Sequence, residues 1–419
     1  MSGESHYVLP PFIKNHLHVE SYAEIREIME SPDFLQGRSP ERDLFFGGSL
    51  VMLDGDEHHE RKRRFSALFT KNAIIHYETQ LMEPVIRQAL SELGVAGKDA
   101  GLVRADLVPL VRIMLHRISA TVTGIDGVET PEETERFRLL IEKLAEAAAG
   151  QWTLKDRDAL MKEGLEARHE LIERFLRSSL VRRRELVRRF RTGEIRESDL
   201  PMDILTLICL HGDSGSVDPD EDAYVWRECT LFMTAATQTT SHQLPHVVQH
   251  ISDWIAAHPE DAHKVTDPAF LRLAVNESLR LHQTAPVKTR IAARTVTLKS
   301  GRVIPEGEMV ALFAPNANLE PEIYGPDAAR FNPYREVPKG AQPWGLTFGA
   351  GAHSCLGKNL VTGLFNRADT KTGAEGTMVK ILTILYTNGL RLDPQDPPQR
   401  VTSSFHDAFA RMPILLGAS

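Results

Sequence analysis

One cysteine lies in a run of residues whose types restrict the backbone closely. The run is Phe348-Gly349-Ala350-Gly351-Ala352-His353-Ser354-Cys355-Leu356-Gly357. Gly349 and Gly351 permit backbone angles that a side chain would forbid, so the loop can pass beneath a flat ring. Residues 356–361 predict a helix start, whose first amide groups would stabilise a thiolate. Cys355 is therefore a candidate thiolate ligand of a haem iron. Thiolate ligation of the iron favours O–O cleavage.

This run resembles the haem-binding signature of the cytochromes P450 and matches it at every constrained position. The resemblance implies that Cys355 is the proximal ligand of haem b, with Phe348 and Gly349 beside the cofactor. It also implies a monooxygenase that inserts one oxygen atom of O2 into an organic substrate. A structural cysteine beside a glycine turn is the alternative, and five fixed residue types within ten positions argue against it.

Composition agrees with such an enzyme. The chain has 419 residues, 42% of them hydrophobic, which is enough for a large core. Of its three cysteines, Cys209 and Cys229 lie in apolar helix-like runs without metal-binding spacing, so a disulfide framework is not expected. No apolar run approaches the roughly 18 residues of a membrane span, so we expect a cytoplasmic, bacterial-type protein without a membrane partner. The net charge of −8 argues against nucleic acid as a partner.

Helical periodicity dominates the chain, and strand-like pieces come late. The predicted helices cover residues 19–29, 74–90, 107–122, 134–148, 166–190, 221–258 and 271–281, and the predicted strands cover residues 294–298, 302–304, 309–313 and 390–392. No linker separates two compositions, so we expect a single domain over residues 1–419. The fold class is mainly α with a small antiparallel β region. The resemblance implies the cytochrome P450 fold, a triangular prism of helices around a haem.

A second motif is Glu277-Ser278-Leu279-Arg280, whose spacing places a carboxylate and a guanidinium on one helix face. Such a pair alone is usually a weak surface contact. The segment Phe331-Asn332-Pro333-Tyr334-Arg335 looks like the family's Phe-x-Pro-x-Arg element. By resemblance, Glu277, Arg280 and Arg335 form a buried network that braces the proximal side of the haem.

Haem carries two propionates, which need cations or hydrogen-bond donors. By resemblance, Arg290, His353, His58 and Lys62 supply them, with Lys62 standing where the family has Arg. A slip of one residue would use His59 and Arg63 instead, and periodicity does not decide between the two.

The neighbouring Arg61 and Arg64 have two open interpretations. One is an ordinary charged helix face, and the other is a basic patch, together with Lys358, that steers an acidic redox partner.

Oxygen chemistry is expected on the long helix that contains Thr234-Ala235-Ala236-Thr237-Gln238-Thr239-Thr240. This segment resembles the family's distal Ala-Gly-x-Asp/Glu-Thr-Thr sequence, with Ala236 at the Gly place and Thr239 at the oxygen-contacting place. Small side chains let the helix approach the ring, and a Thr hydroxyl can interrupt the helical ladder. Close helix packing is the simpler alternative for such a composition.

Gln238 stands where the family has an acid. A neutral amide can hold a water molecule but does not release a proton at physiological pH. Three possibilities stay open: Thr239 with ordered water delivers protons, another acid serves, or the enzyme partly uses peroxide directly.

Two further segments have a simple interpretation. Residues 365–377 interrupt what is usually one helix, and their Gly and polar residues predict a loop, either a tolerated insertion or an element of partner choice. The arginines around 182–189 predict a solvated helix face, with an acidic substrate or carrier as the weaker option.

We therefore expect a monooxygenase acting on a small hydrophobic or aromatic substrate. Electrons come from a ferredoxin or flavodoxin and its reductase, because no dinucleotide-binding fingerprint is present. The apolar residues expected around the substrate are Phe232, Met233, Ala236, Thr237, Ala285, Pro286, Val287, Phe405 and Phe409. Alternatives are a peroxide-driven or non-hydroxylating enzyme, or a haem-binding sensor without catalysis.

Overall fold

The computed structural model describes residues 10–95, 101–212, 223–366 and 369–417. Most of them are helical. The helices are α1 Tyr22–Glu30, α2 Pro40–Phe46, α3 Gly55–Phe65, α4 Lys71–Tyr77, α5 Glu83–Glu92, α6 Leu107–Thr123, α7 Pro131–Ala148, α8 Arg157–Leu171, α9 Arg177–Arg191, α10 Ile204–His211, α11 Tyr224–Ala257, α12 Pro268–Leu281, α13 Ala314–Ala317, α14 Pro321–Tyr324, α15 Lys358–Thr362 and α16 Thr377–Thr387.

The strands are short. They are β1 Leu17–Val19, β2 Phe34–Gln36, β3 Val103–Asp106, β4 Val287–Ala292, β5 Val296–Thr297, β6 Val303–Ile304, β7 Met309–Phe313, β8 Leu364–Asn366, β9 Asp369–Ala374, β10 Arg391–Leu392, β11 Gln399–Arg400, β12 Phe409–Arg411 and β13 Pro413–Leu416. The largest sheet has the order β1-β7-β4-β2, in which β1 runs parallel to β7 and the other pairs are antiparallel. The fold class expected from the sequence, mainly α with small antiparallel sheets, is confirmed.

The chain forms two compact units. The sheet unit contains residues 1–38, 90–108 and 240–419, and the helical unit contains residues 39–89 and 109–239. Every strand of the described ranges belongs to the sheet unit, whose core packs α1 and the four-stranded sheet around Ile25, Ile28, Val310 and Leu312. The expectation of one domain over residues 1–419 stays a prediction.

Local sequence signals explain the helix that carries Glu277 and Arg280. Asp267 caps α12 by accepting a hydrogen bond from the Ala269 N–H at 2.9 Å, and Pro268 occupies the first turn, where its missing N–H costs nothing. The buried face of α12 includes Leu271, Ala274 and Val275. The cap and this apolar face orient α12, and this orientation determines the direction in which Glu277 and Arg280 point.

The structure corrects two predictions from sequence and adds one strand that periodicity missed. Periodicity did not indicate strand β4, because its residues Val-Lys-Thr-Arg-Ile-Ala alternate poorly between apolar and polar types. Of the predicted loop 365–377, positions 367 and 368 lie outside the described residues. The described part is not simply a loop, since β8 pairs with β9 and Leu364 is opposite Ala374. The arginine-rich face of α9 is not fully solvated, because Arg183 is buried and bonded to Asp203 at 2.8 Å.

Candidate active site

The cysteine loop, which we define as residues 346–355, is closed by its own backbone. The N–H of Cys355 donates to the carbonyl of Phe348 at 2.8 Å, and the N–H of Ser354 donates to the carbonyl of Gly351 at 3.1 Å. Cys355 is exposed, whereas Cys209 and Cys229 are buried. The loop therefore presents one thiol at its surface, at the position that the sequence analysis assigned to the haem ligand.

Both glycines of the loop are required by the backbone. Gly349 has φ +67° and Gly351 has φ +65°, a region that side chains disfavour. A Cβ atom at Gly351 would overlap the carbonyl oxygen of Met29 in α1. The loop thus packs against α1 at a distance that only glycine permits.

The helix after the cysteine is shorter than expected. The first helical residue is Lys358, and α15 ends at Thr362, two residues before the start of β8. The residues directly after Cys355 form a turn. The predicted helix start is confirmed, but a five-residue helix gathers few aligned peptide dipoles to stabilise a thiolate.

The predicted ionic brace is present and buried. Arg280 donates to Glu277 twice, from Nε at 2.8 Å and from Nη2 at 2.7 Å. Arg335 Nε donates to Glu277 Oε1 at 2.9 Å. Charge-assisted pairs of this bidentate kind are strong and directional, and removing one partner would leave a buried charge uncompensated.

Asn318 connects this brace to the cysteine loop, and sequence reasoning missed it. Its side chain is fully buried, and its Oδ1 accepts the N–H of Leu346 at 2.8 Å, two residues before Phe348. Thr347 Oγ1 donates to the carbonyl of Leu279 at 2.6 Å. No short motif marks Asn318, because its partners come from distant parts of the chain.

Strand β4 places two cations on one of its faces. Arg290 is buried, and Lys288 lies two residues earlier, so their side chains point the same way. Burial, followed by the charge of Arg290, lowers the pKa of Lys288 to about 8, and a smaller electrostatic effect of Cys355 opposes this. Lys288 thus lies near the candidate ligand. Sequence reasoning missed Lys288, and its i,i+2 spacing to Arg290 was the signal that could have indicated it. His353 is half-buried in the cysteine loop.

In the helical unit, burial distinguishes the two registers on α3. His58 is buried and Lys62 is half-buried one turn later, whereas His59 and Arg63 are exposed. Burial, and then the charge of Lys62, lowers the pKa of His58 to about 4, so its imidazole is neutral near pH 7. A neutral imidazole offers a propionate a hydrogen bond but no charge.

The basic residues next to them are engaged in ion pairs. Arg61 contacts Glu57 at 2.7 Å and Glu228 at 2.9 Å, and Arg64 is paired with Glu60. Arg64 therefore agrees with the charged-face interpretation, whereas Arg61 is largely buried against Glu228 of α11 and does not belong to a solvated face.

The expected distal segment lies in the middle of α11. Ala235, Ala236 and Thr239 are exposed on one helix face, and Gln238 is half-buried beside them. Thr239 Oγ1 donates to the carbonyl of Ala235 at 2.7 Å. A backbone carbonyl is therefore shared with a side-chain hydroxyl on this face, as expected where a Thr loosens the helical ladder.

The residues present fit a haem group. An exposed thiol on a thin, glycine-dependent loop would suit a ligand of the haem iron, and an α-helix face made of alanines would suit close approach of a flat ring. Two cations on one face of β4 suit the propionates. The structure describes these features in two groups: Phe348, Gly349, His353, Cys355 and Arg290 in the sheet unit, and His58, Lys62, Ala236, Gln238 and Thr239 in the helical unit.

Comparison with known proteins gives the family. The cytochrome P450 family model matches residues 14–362. Cyclooctat-9-en-7-ol 5-monooxygenase of Streptomyces melanosporofaciens is 25% identical over 342 residues, covering 75% of this chain and 69% of the relative. The C-19 steroid 1alpha-hydroxylase of Sorangium cellulosum is 23% identical over 381 residues, covering 88% and 82%.

A solved structure has the same fold. CYP109E1 of Bacillus megaterium, in complex with testosterone, superposes with a TM-score of 0.68 at 18% identity, covering 96% of this chain and 93% of that chain.

The chain belongs to the cytochrome P450 family, a class of haem-dependent oxidoreductases. It is a P450 monooxygenase, and the curated relatives carry monooxygenase and hydroxylase names. Among the described helices, none is long and apolar enough to cross a membrane.

Proposed function

We propose that this P450 holds haem b through the thiolate of Cys355 and oxidises a small hydrophobic or aromatic substrate. The observation that carries this proposal is the cysteine loop itself. Its exposed thiol, its two positive-φ glycines and its hydrogen bond from Leu346 to the braced Asn318 would suit a loop that holds a ligand of the haem iron. When bound, the haem supplies the activation of dioxygen.

The chain's own residues have separate roles in this proposal. Cys355 binds the metal, and Phe348 and Gly349 shape the loop around it. Arg290, His353, His58 and Lys62 orient the cofactor through its carboxylates, by charge or by hydrogen bonds. Lys288 adds a further cation on the face of β4 that carries Arg290.

Thr239 and Ala236 form the oxygen side of this proposal. Thr239 Oγ1 donates a hydrogen bond to the carbonyl oxygen of Ala235 at 2.7 Å. Rotation about χ1 would break this bond and turn the hydroxyl toward the helix surface. Gln238 can hold a water molecule through its amide but cannot supply a proton. Proton delivery therefore depends on Thr239 with water, or on an acid elsewhere.

The substrate class rests on apolar side chains. Phe232 is half-buried, with its ring centroid 4.9 Å from that of Phe65 and 6.3 Å from that of Phe69, whereas Met233 is fully buried in the core. The relatives named above act on cyclooctat-9-en-7-ol and on C-19 steroids by their names, which agrees with an apolar substrate.

Electrons come, in this proposal, from a separate ferredoxin or flavodoxin and its reductase. Neither nucleic acid nor a membrane is a partner in it. The cytoplasmic location expected from the sequence stays a prediction.

The test is a spin-state titration of the purified ferric protein against small aromatics, terpenoids, steroids, fatty acids and carrier-bound acyl groups. A low-to-high-spin shift with an apolar compound, absent in Cys355→Ser, supports the proposal and identifies the substrate class. If wild-type protein and Cys355→Ser give the same haem spectrum, Cys355 is not the ligand. If only carrier-bound acids shift the spectrum, the small-molecule proposal fails.

Gln238 favours a second candidate, a peroxide-driven enzyme. Product formation with hydrogen peroxide, and without any redox protein, would support it. If product requires both the redox partner and O2, the monooxygenase proposal stands and the peroxide route is excluded.

A further inference from the structure

The sheet unit contains a cluster of two histidines and one aspartate, none of which is assigned above to the haem. In the part of the chain that the structure describes, His246, His282 and Asp407 each place one potential ligand atom within 4.8 Å of the other two. His246 belongs to α11, His282 follows the last residue of α12, and Asp407 lies between β11 and β12. Positions 246 and 407 are 161 residues apart in sequence.

The contacts within the cluster are close. His282 Nδ1 lies 3.1 Å from Asp407 Oδ2, and His246 Nε2 lies 3.0 Å from the backbone carbonyl of Asp407. The two imidazole rings stack with centroids 4.2 Å apart. Three segments distant in sequence therefore meet through polar groups.

The surroundings hold the donors in place. His246 is 2% exposed, and its ring stacks on the ring of His282. Arg400 Nη1 donates to Asp407 Oδ1 at 2.5 Å. This bond orients the carboxylate in the way that outer-shell partners orient metal ligands, and Oδ2 faces His282.

We propose that His246, His282 and Asp407 form a binding site for one divalent transition-metal ion of the zinc type, with water completing its coordination. Two imidazoles and one carboxylate are donors that zinc prefers, whereas magnesium and calcium prefer oxygen alone. A tetrahedral ion with bonds of about 2.1 Å sets its ligand atoms about 3.4 Å apart. The ligand atoms of the cluster lie within 4.8 Å of one another, so small side-chain rotations would bring them to this separation.

The ion would tie the loop between β11 and β12 to α11 and to the end of α12. In the structure, this loop is already held by Arg400, which lies 3.8 Å from the centroid of the Phe409 ring, and Phe409 lies 5.0 Å from the ring of His246. A metal bridge would add a cross-link to this packing. Zinc would then stabilise the folded state, because only the folded chain brings the three ligands together.

The experiment uses haem-loaded wild-type protein, in which Cys355 is engaged, after chelation and dialysis. ZnCl2 is titrated by calorimetry in a buffer with excess Mg2+, and thermal unfolding is followed with and without zinc. We expect one zinc per chain and a raised Tm. His246→Gln and Asp407→Asn should each weaken zinc binding at least roughly tenfold, the scale found on loss of metal-site partners.

His258→Ala is the matched control. His258 lies just beyond the end of α11, is half-exposed, and pairs with Glu260 at 3.4 Å, a surface arrangement that attracts zinc adventitiously. Its removal should leave the tight site intact. If His258→Ala abolishes binding while Asp407→Asn does not, the zinc is adventitious and the proposal fails.

Absence of tight zinc binding to the wild-type protein also overturns the proposal. Should both cluster variants fold poorly, X-ray absorption of zinc-loaded wild-type protein still decides, since the proposed site has two imidazole ligands and the surface pair has one.

Discussion

Arg280 and Asn318 exchange hydrogen bonds with each other's backbone. Arg280 Nη1 donates to the carbonyl of Asn318 at 2.7 Å, and Asn318 Nδ2 donates to the carbonyl of Arg280 at 3.0 Å. Both residues are fully buried. Because Asn318 Oδ1 also accepts the N–H of Leu346, the ionic brace and the cysteine loop share one side chain.

Replacing Asn318 by Ala should therefore destabilise the protein and loosen the cysteine loop. The variant leaves the Arg280 carbonyl and the Leu346 N–H buried without these partners, at about 1–3 kcal/mol each. Urea unfolding should show a loss of ~2–5 kcal/mol, and gel filtration should show weaker haem retention. Asn316→Ala is the control, since this exposed residue of α13 makes one surface hydrogen bond to Glu20. Equal stability of the two variants would contradict the role of Asn318.

Gly351→Ala should be more damaging than another glycine substitution at positive φ. Gly301 has φ +88°, and a Cβ atom added there would meet nothing within 4 Å, so Gly301→Ala should cost only the backbone strain of ~1–2 kcal/mol. Gly351→Ala adds a clash with the backbone carbonyl of Met29. The free energy of unfolding and the haem content of both variants test this. Loss of haem from Gly301→Ala but not from Gly351→Ala would show that the clash in the cysteine loop does not determine haem retention.

Glu228 should make stability fall as pH rises. It is fully buried in α11, and burial raises its pKa to about 7 although Arg61 opposes this. The folded state therefore holds a proton that the unfolded state, with a pKa near 4.5, has lost. This contribution is present below pH 4.5 and is lost as pH rises through about 7, amounting to ~3 kcal/mol.

Glu228→Gln should remove this slope. Urea unfolding between pH 4.5 and 8 should show the variant gaining stability relative to wild type as pH rises. Glu57→Gln is the matched control, because Glu57 is exposed and binds the same Arg61 at 2.7 Å. A wild-type slope in Glu228→Gln would show that Glu228 does not titrate in this range.

Gln238→Glu should raise the fraction of reducing equivalents that end in product. A carboxyl beside Thr239 can release and regain a proton, which the amide cannot do. The measurement is product formed per NAD(P)H oxidised, with a substrate found by the spin-state titration. Gln238→Leu controls for loss of the amide alone and should not improve coupling. Unchanged coupling in Gln238→Glu would show that the lack of a carboxyl at position 238 does not limit proton supply.

Much of the fold followed from local patterns, and the failures share a cause. The helix predicted over residues 107–122 corresponds to α6, and the strand predicted over residues 309–313 matches β7. Hydrophobic periodicity missed strand β4, because its pairing with β7 and β2, not its own alternation, makes it a strand. Arg183 was misassigned because its partner Asp203 lies on another element.

The candidate site divides in the same way. The cysteine loop, the Glu–Arg pair and the alanine-rich helix face depend on residue types at short spacing, so the sequence alone indicated them, together with the family and the fold class. Only the tertiary structure decided that His58 rather than His59 is buried, that Asn318 links the brace to the loop, and that His246, His282 and Asp407 meet. Such contacts join residues far apart in the chain, and local propensity carries no information about which distant side chain will pack against them.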